Sequence, residues 1–422
     1  MLIADDAAES LESEWDFMTD LEELKDAFKS GGVKSWRIML ERKCDEWKNI
    51  PLNVAVIGNS GVGKSSFINA IRCLTADDEG AADVGVTETT LEIRSYPHPD
   101  NPLLQFWDLP GVGTDEFPRS TYLADIDVDR YDFFLLMTAD RFTENDTWLG
   151  NEFHKRQKKY YFVRTKIGAD ISNNKRAHPR THNEEIVVKD IRESTEQHLR
   201  KNGCENVPVF LIDSYKLKKH EFEQLEYRLV EDFPKLKRSA LVMSLRATSQ
   251  RMIRLKVAEL RSRMWMFAAL SGAVAAVPVP LVSLGFDLKL VANEADVYHT
   301  QLGLDETSLK RYAKLMSCDY RQLQSAVNRH VHYKAAGVEA TKKLVETLCE
   351  TATSLLPSAV AEGSRFIPII GSFIPAPISF AGTYCVLKLV LNRMESAALE
   401  VVTTAADRAA NVEKSDSDSD DD

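Results

Sequence analysis

The feature that most constrains this 422-residue chain is an eight-residue stretch that matches the pattern G-x-x-x-x-G-K-[ST]. It consists of Gly58, Asn59, Ser60, Gly61, Val62, Gly63, Lys64 and Ser65. Glycines in such a loop let successive backbone N–H groups point at phosphate oxygens. We expect Lys64 to bring a positive charge to the β- and γ-phosphates of a nucleotide, and the Ser65 hydroxyl to bind Mg²⁺. A helical pattern follows from Ser66, and the N-terminal end of that helix would favour the same phosphates.

A second motif, residues 106–111, reads FWDLPG. It places Asp108 at the end of an apolar run and Gly111 three residues later. In a site that hydrolyses a nucleotide, such an aspartate holds Mg²⁺ through water, and the Gly111 N–H contacts the γ-phosphate. The alternative is a strand that ends in a Pro-Gly turn with no further role.

A candidate switch segment, residues 84–90, reads VGVTETT and lies between the two motifs. A switch segment needs a hydroxyl that joins the magnesium site only while the γ-phosphate is present. Thr87, Thr89 and Thr90 all meet this need, and the segment by itself does not distinguish them.

Short apolar runs alternate with amphipathic stretches in the first half of the chain. The runs predicted as strands are 53–57, 91–95, 103–108, 131–138, 160–165 and 207–212. Helical patterning separates several of them, as in 65–72 and 183–201. This alternation predicts an α/β fold with a mostly parallel sheet covered on both faces.

The pattern also divides the chain into four parts. Residues 1–48 and 236–412 show helical periodicity without alternating strands, and residues 49–235 hold the predicted phosphate-binding domain. Residues 413–422, EKSDSDSDDD, are acidic and of low complexity, so we expect them to be disordered.

The charge and the cysteines limit the partners and the compartment. A formal net charge of -11 argues against nucleic acid as the main partner, because a phosphate-binding surface needs a basic excess. The six cysteines form no C-x-x-C pair and no metal-type spacing, which is typical of a reducing compartment such as the cytosol. The acidic N-terminus lacks the apolar run of a signal peptide.

Two long uncharged stretches, residues 264–286 and 366–387, lie in the second helical part. Each is long enough to cross a bilayer. The first contains two prolines and the second contains three, which a regular spanning helix rarely carries. Three alternatives stay open: a buried helical hairpin, an interfacial contact with a membrane, and a true span, of which the hairpin is favoured.

Several motifs together show a family resemblance. They are GNSGVGKSS, TETTLEIRSYPHP, FWDLPGVG, YDFF (131–134), YFVRTK (161–166) and LGLDETSL (302–309). With these motifs the chain resembles the immunity-related GTPases, the interferon-inducible p47-type family, over roughly residues 15–400. Lys64 places it with the GKS type of that family.

The resemblance implies a Ras-like G domain and an all-α helical domain built from the N-terminal and C-terminal segments. It implies GTP and GDP as ligands, Mg²⁺ as cofactor, and dimers or oligomers that form on intracellular membranes of the endoplasmic reticulum, Golgi or pathogen vacuoles, in cell-autonomous innate defence. By motif match, Thr90 is the switch threonine that binds Mg²⁺. The resemblance also implies that Glu88 reaches the partner's nucleotide ribose in a G-domain dimer and assists hydrolysis, together with Lys64 and Gly111.

One departure from the family pattern concerns the nucleotide base. The family motif T-K-x-D ends in an aspartate that accepts hydrogen bonds from guanine, but here Thr165 and Lys166 are followed two residues later by Gly168. Either the loop shifts so that Asp170 binds the base, or guanine selectivity is reduced. A lost charge-assisted hydrogen bond is worth ~1.5–3 kcal/mol. After the last predicted strand, the family's Ser-Asn pair is replaced by Asp213 and Ser214, which we also expect to contact the nucleotide.

The leading functional hypothesis is a slow GTPase. Val112 follows Gly111 at the position where Ras-like enzymes carry a glutamine that orients water, and valine cannot orient water. A partner must therefore activate hydrolysis. The alternatives are a nucleotide-responsive scaffold with little or no hydrolysis, an ATPase, and, least favoured, an integral membrane protein.

Overall fold

The chain divides into two compact units. The computed structural model describes residues 23, 26–27, 29–32, 34–35, 38–85, 92–113, 117–274, 282–331 and 377–419. The first unit, called here the sheet unit, combines Lys48–Lys256, Asp305–Ala326 and Leu399–Asp422. The second, called the helical unit, combines Met1–Trp47, Val257–Leu304 and Val327–Ala398.

The sheet unit extends beyond the predicted boundary at residue 235. It takes in residues 236–256, 305–326 and 399–412, which the sequence pattern assigned to a helical domain. Long-range contacts explain the difference, because the Tyr312 hydroxyl donates to the Thr248 carbonyl (3.1 Å) and Lys314 Nζ lies 2.7 Å from Asp78 Oδ1. Local periodicity carries no information about such contacts.

Six strands form one sheet with the order β2-β3-β1-β4-β5-β6. They are β1 Leu52–Ile57, β2 Arg94–His98, β3 Asn101–Leu109, β4 Phe133–Thr138, β5 Tyr160–Arg164 and β6 Val209–Leu211. All neighbouring pairs are parallel except β2 and β3, which are antiparallel. The predicted α/β fold with a mostly parallel sheet is therefore confirmed.

Burial explains why the central strands were visible in the sequence. Every residue of β4 and β5 is buried, as expected for parallel strands covered on both faces. Strand β2 lies at an edge of the sheet, and most of its residues are exposed to solvent. It begins three residues later than predicted. Its register is set by the antiparallel pairing with β3, in which Tyr96 is opposite Phe106, and not by its own weak pattern.

Helices connect the strands and continue to the end of the described chain. Those between β1 and residue 244 are α1 Lys64–Ile71, α2 Tyr122–Asp125, α3 Glu144–Lys155, α4 Ile167–Ala177, α5 Glu184–Lys201, α6 Phe222–Asp232 and α7 Lys235–Ser244. Beyond residue 244, the described residues form α8 Gln250–Val274, α9 Val282–Gln301, α10 Glu306–Leu315, α11 Tyr320–Val331 and α12 Pro377–Ser419.

Capping side chains fix where two of these helices begin. The Thr143 side chain accepts a hydrogen bond from the Asp146 N–H, and the Asp146 carboxylate accepts one from the Thr143 N–H. This reciprocal pair satisfies N–H groups that the first turn of α3 leaves without helical partners. At α5, the Asn183 side chain accepts from the Ile186 N–H (3.1 Å), so the predicted helix over 183–201 begins one residue later.

A buried ion pair organises the helical unit. Arg263 in α8 donates two hydrogen bonds to the Glu294 carboxylate in α9, with lengths of 3.2 and 3.1 Å. A further N–H of Arg263 donates to the Cys44 carbonyl. The N-terminal helical segment thereby contacts α8 and α9 through one guanidinium group.

The uncharged stretches and the acidic tail are described only in part. Residues 275–281 and 366–376 lie outside the described residues, and within the described ones no helix combines the length and apolarity that crossing a bilayer needs.

The acidic tail was predicted to be disordered over residues 413–422. In the structure, helix α12 continues to Ser419, so residues 413–419 are helical instead. No glycine or proline occurs between Ala405 and Ser419, and extending an existing helix fixes only one residue per hydrogen bond.

Candidate nucleotide-binding site

The phosphate-binding loop joins the end of β1 to the start of α1. Gly61 and Gly63 have φ angles of 76° and 96°, a left-handed conformation that side chains with a Cβ rarely adopt. At Gly58 a Cβ would lie only 2.4 Å from the Met137 carbonyl oxygen in β4. The sequence pattern therefore has glycine where the backbone must turn sharply or pass close to the neighbouring strand.

Lys64 lies over its own loop. Its Nζ donates to the Gly58 carbonyl (2.8 Å) and to the Asn59 carbonyl (3.2 Å), and it lies 3.7 Å from Asp108 Oδ1. The side chain is buried, and these oxygens offset the cost of burying its charge. A positive charge is thus held at the mouth of the loop, where the β- and γ-phosphates would bind.

Asp108 and Ser65 meet because β3 pairs with β1. In that pairing Asp108 is opposite Val56, one residue before the end of β1. The Ser65 hydroxyl at the start of α1 donates to Asp108 Oδ2 (3.3 Å). A hydroxyl and a carboxylate are oxygen ligands of the kind Mg²⁺ prefers, and Mg²⁺ takes few protein ligands beside water and phosphate. The two predicted magnesium groups therefore fit the ion.

Gly111 packs directly against the phosphate-binding loop. A Cβ at this position would lie 2.2 Å from Asn59 Oδ1 and 3.1 Å from the Asn59 backbone nitrogen. The next side chain, Val112, is buried in a hydrophobic cluster with Ile57 and Tyr122. Val112 packs into the core and has no hydrogen-bonding group, so it does not orient a water molecule at the γ-phosphate.

A cavity of about 330 Å³ adjoins the loop. Its lining residues are Gly61, Gly63, Lys64, Ser65, Ser66, Asp83, Val84, Gly85, Thr165, Lys166, Ala169, Asp213, Ser214 and Tyr215. The Thr165 hydroxyl donates to the Val62 carbonyl (2.5 Å) and so joins the end of β5 to the loop. The structure thereby brings the predicted phosphate-binding residues together with those predicted to bind the base.

Asp170, predicted to bind the base, does not line this cavity. It lies in the first turn of α4, and its Oδ2 accepts a hydrogen bond from Arg164 Nη2 (2.6 Å). Burial raises the pKa of Asp170, although the Arg164 charge counteracts this effect. The Asp170 carboxylate is thus paired with Arg164 and is not among the residues that line the nucleotide cavity.

Asp213 reaches the cavity from the end of β6. It is 8% exposed, and its Oδ1 accepts a hydrogen bond from the Tyr215 N–H (2.9 Å). Its carboxylate can take this position because residue 168 is a glycine, where a Cβ would lie 2.1 Å from Asp213 Oδ2. Sequence reasoning identified both positions but did not show that they meet.

Tyr215 is a lining residue that sequence reasoning missed. Its side chain is 77% exposed, and its hydroxyl lies 3.2 Å from the Ser66 hydroxyl. Asp83 and Ala169 were also missed as lining residues, because only the fold brings them beside the phosphate-binding loop, whereas Val84 and Gly85 belong to the predicted switch segment. Glu88 and Thr90 lie outside the described residues, so their predicted roles stay predictions.

A glycine-rich loop at the carboxyl edge of a parallel sheet, with Lys64, Ser65 and Asp108 gathered at its end, defines a P-loop nucleotide-binding protein. The model of the interferon-inducible GTPase (IIGP) family matches residues 18–364. The chain belongs to this interferon-inducible GTPase family, as its motifs predicted, and it is a GTPase.

The relatives agree with this assignment. Interferon-inducible GTPase 1 of Mus musculus is 35% identical over 310 residues, which are 72% of this chain and 75% of the relative. Interferon-inducible GTPase 5 of Rattus norvegicus is 32% identical over 382 residues, or 90% of this chain and 81% of the relative.

Among solved structures the likeness is low. An oligomerised bacterial dynamin pair has a TM-score of 0.33 and 12% identity, covering 94% of this chain and 75% of that one. Era in complex with MgGDPNP and a segment of 16S ribosomal RNA has a TM-score of 0.30 and 16% identity, covering 51% and 67%. The family assignment therefore rests on the family model and the relatives.

Proposed function

We propose that this GTPase binds GTP and GDP with Mg²⁺, hydrolyses GTP slowly as a monomer, and hydrolyses it faster when two G domains associate. The observation that carries the proposal is the pairing of a complete phosphate-binding loop with a buried Val112. Lys64 and Ser65 of the loop are both within contact distance of Asp108 at the end of β3. The residue after Gly111, however, packs into the core. The loop therefore has the groups that bind a triphosphate, whereas the side chain after Gly111 does not orient the attacking water. Another residue has to do so.

Ser65, Thr90 and, through water, Asp108 would hold the magnesium ion in this proposal. When bound, the ion neutralises negative charge on the β- and γ-phosphate oxygens. Lys64 adds a second positive charge, and the Gly111 N–H contacts the γ-phosphate. Glu88 of one copy reaches the nucleotide of the other copy and assists hydrolysis there, as the family resemblance implies.

Equilibrium binding of GTP, GDP, ATP and XTP to the purified protein tests the nucleotide part of the proposal. We expect GTP and GDP to bind in the presence of Mg²⁺, ATP to bind at least about tenfold more weakly, and GTP to be converted slowly to GDP and phosphate. Equal affinity for GTP and ATP, or conversion of ATP as fast as GTP, would support the ATPase alternative and contradict this proposal.

The second candidate is a nucleotide-responsive scaffold that hydrolyses little or nothing. The buried Val112 favours it, because this side chain removes the usual means of orienting water. The two candidates differ in one measurable quantity, the phosphate released per molecule at high protein concentration. The scaffold predicts a negligible rate at every concentration.

We further propose that the protein acts in the cytoplasm on the surface of intracellular membranes of the endoplasmic reticulum, Golgi or vacuoles, in cell-autonomous innate defence, and without nucleic acid. Support comes from the family and from residues 366–387, which are uncharged and flanked by Arg365 and Lys388. A basic flank beside an apolar, proline-rich stretch suits contact with an anionic membrane surface.

Flotation with phosphatidylcholine–phosphatidylserine vesicles tests the membrane contact. Wild type should float with the vesicles to an extent that a GTP analogue changes, and Phe373→Asp should not float. Ile186→Asp is the matched control, because Ile186 is an apolar side chain that is already 56% exposed on α5. Unchanged flotation of Phe373→Asp, or its failure to fold, would assign residues 366–387 to the protein core instead.

A further inference from the structure

Residues 168 and 213 compete for one space beside the nucleotide cavity. An ideal Cβ built on Gly168 lies 2.1 Å from Asp213 Oδ2 and 3.3 Å from Asp213 Cγ. Cβ atoms do not approach other heavy atoms below 3.0 Å. Any side chain at residue 168 therefore has to displace the Asp213 carboxylate, and this position of Asp213 is possible only with glycine at 168.

We infer that Asp213 supplies the carboxylate that reads the guanine base, in place of the aspartate missing from position 168. The inference rests on the proposed binding of GTP at this site. In the family motif a carboxylate projects from the second residue of α4, and here the Asp213 carboxylate arrives at that same point from the end of β6. The departure in the T-K-x-D motif is thus compensated by an acid from another strand.

The surroundings of Asp213 suit this role. The cavity wall includes both Asp213 and the phosphate-binding loop, and the carboxyl ends of β1 and β6 lie at the same edge of the sheet. The Tyr215 N–H donates to Asp213 Oδ1 at 2.9 Å and orients the carboxylate. Each carboxylate oxygen has two lone pairs, so both oxygens keep acceptor capacity for a ligand.

The chemistry of guanine matches a carboxylate. Guanine presents two adjacent donors, N1–H and the 2-amino group, whereas adenine has an acceptor at N1 and no 2-amino group. Two parallel bonds from guanine to a charged acceptor exclude adenine strongly. Asp170 does not line the cavity, and its Oδ2 is paired with Arg164 at 2.6 Å, so it is not placed to bind the base in this way.

Replacing the carboxylate by an amide tests the inference. Xanthine has an oxygen where guanine has the 2-amino group, so an asparagine N–H₂ group suits xanthine better. We expect Asp213→Asn to weaken GTP about 10- to 150-fold, to strengthen XTP, and to leave ATP unchanged. The measurement is equilibrium binding of all three nucleotides with Mg²⁺. The control, Asp170→Asn, should keep the wild-type ratio of GTP to XTP affinity.

A second pair of variants covers the case in which Asp213→Asn fails to fold. Gly168 has an ordinary helical φ angle, so Gly168→Ala suits the helix, but its Cβ should push the Asp213 carboxylate aside and lower the preference for GTP over ATP. The double variant Gly168→Asp with Asp213→Ser moves the carboxylate back to α4 and should restore that preference.

Three outcomes separate this inference from the proposed function. An unchanged GTP-to-XTP ratio in Asp213→Asn, with GTP still bound, overturns the inference alone. A switch towards XTP in Asp170→Asn, without one in Asp213→Asn, also overturns it. A wild-type protein that binds neither GTP nor GDP contradicts the proposed function itself.

Discussion

At the scale of single residues, the site depends on a few atoms held at short range. The Lys64 ammonium lies 2.8 Å from one loop carbonyl and 3.7 Å from Asp108 Oδ1, and all of these groups are buried. Burying an unpaired charge is costly, so these contacts hold the lysine in place. The same charge is the one that we propose to contact the phosphates of a bound triphosphate.

Removing that charge should abolish useful triphosphate affinity. Lys64→Ala loses at least one charge-assisted contact, worth ~1.5 kcal/mol or more, so we expect GTP to bind at least about tenfold more weakly. The matched control is Lys155→Ala, because Lys155 is an exposed lysine at the end of α3 that pairs only with Glu152 among the contacts described. Thermal unfolding of both variants checks that the fold survives. Affinity for GTP within about threefold of wild type in Lys64→Ala would contradict the assignment of the loop.

The sequence allowed the phosphate-binding loop to be recognised, but not the contact between residues 168 and 213. Local spacing is enough for Gly58 to Ser65, because one continuous loop carries the chemistry. The sequence showed that residue 168 is a glycine where the T-K-x-D motif has an aspartate, and Asp170 was the nearest acid in the sequence. The contact between Gly168 and Asp213 depends on how β6 and α4 pack, and no local pattern contains this information.

At the scale of elements, the strands that are buried throughout were the ones that the sequence pattern placed best. Strands β4 and β5 are buried throughout and stood out as apolar runs, whereas the register of edge strand β2 depends on pairing with β3. Helix α5 was placed to within a residue because Asn183 caps it. The length of helix α12 was underestimated. The acidic, low-complexity composition of its last residues is typical of disorder, but these residues continue an existing helix.

Helix α6 contains a buried acid that should make stability depend on pH. Burial raises the pKa of Glu226 from 4.5 to about 8, and the Thr248 hydroxyl donates to its Oε2 at 3.3 Å. Between these two pKa values the folded state keeps a proton that the unfolded chain has released. The free energy of unfolding therefore falls as pH rises through this window.

Glu226→Gln should remove this dependence, because glutamine keeps the contact with Thr248 but does not titrate. We expect the variant to be more stable than wild type at about pH 8 and to show a shallower slope down to about pH 4.5. Urea unfolding across this range measures both quantities. Glu193→Gln, an exposed change on α5, is the control and should retain the wild-type slope. A wild-type slope in Glu226→Gln would show that Glu226 is ionised in the folded state.

At the scale of the whole molecule, the chain combines two units with different organisation. The sheet unit carries the nucleotide site, and in the helical unit Arg263 connects the N-terminal segment to α8 and α9. The long-range grouping of 305–326 with the sheet unit was not predicted, because it depends on contacts such as the one between Lys314 and Asp78. The family resemblance, and not periodicity, supplied the expectation that the two ends of the chain fold together.

The central claim is that self-association speeds up a GTPase site that works only slowly in the monomer. Val112 is buried and does not orient water, so we propose that a second copy activates hydrolysis through Glu88, which reaches its partner's nucleotide. Steady-state phosphate release from GTP, measured over a wide range of protein concentration, tests this claim most directly. We expect the rate per molecule to rise with concentration in wild type, and Glu88→Ala to lose the rise while binding GTP with near wild-type affinity. A rate per molecule that is independent of concentration, or a Glu88→Ala protein that keeps the rise, would contradict the account.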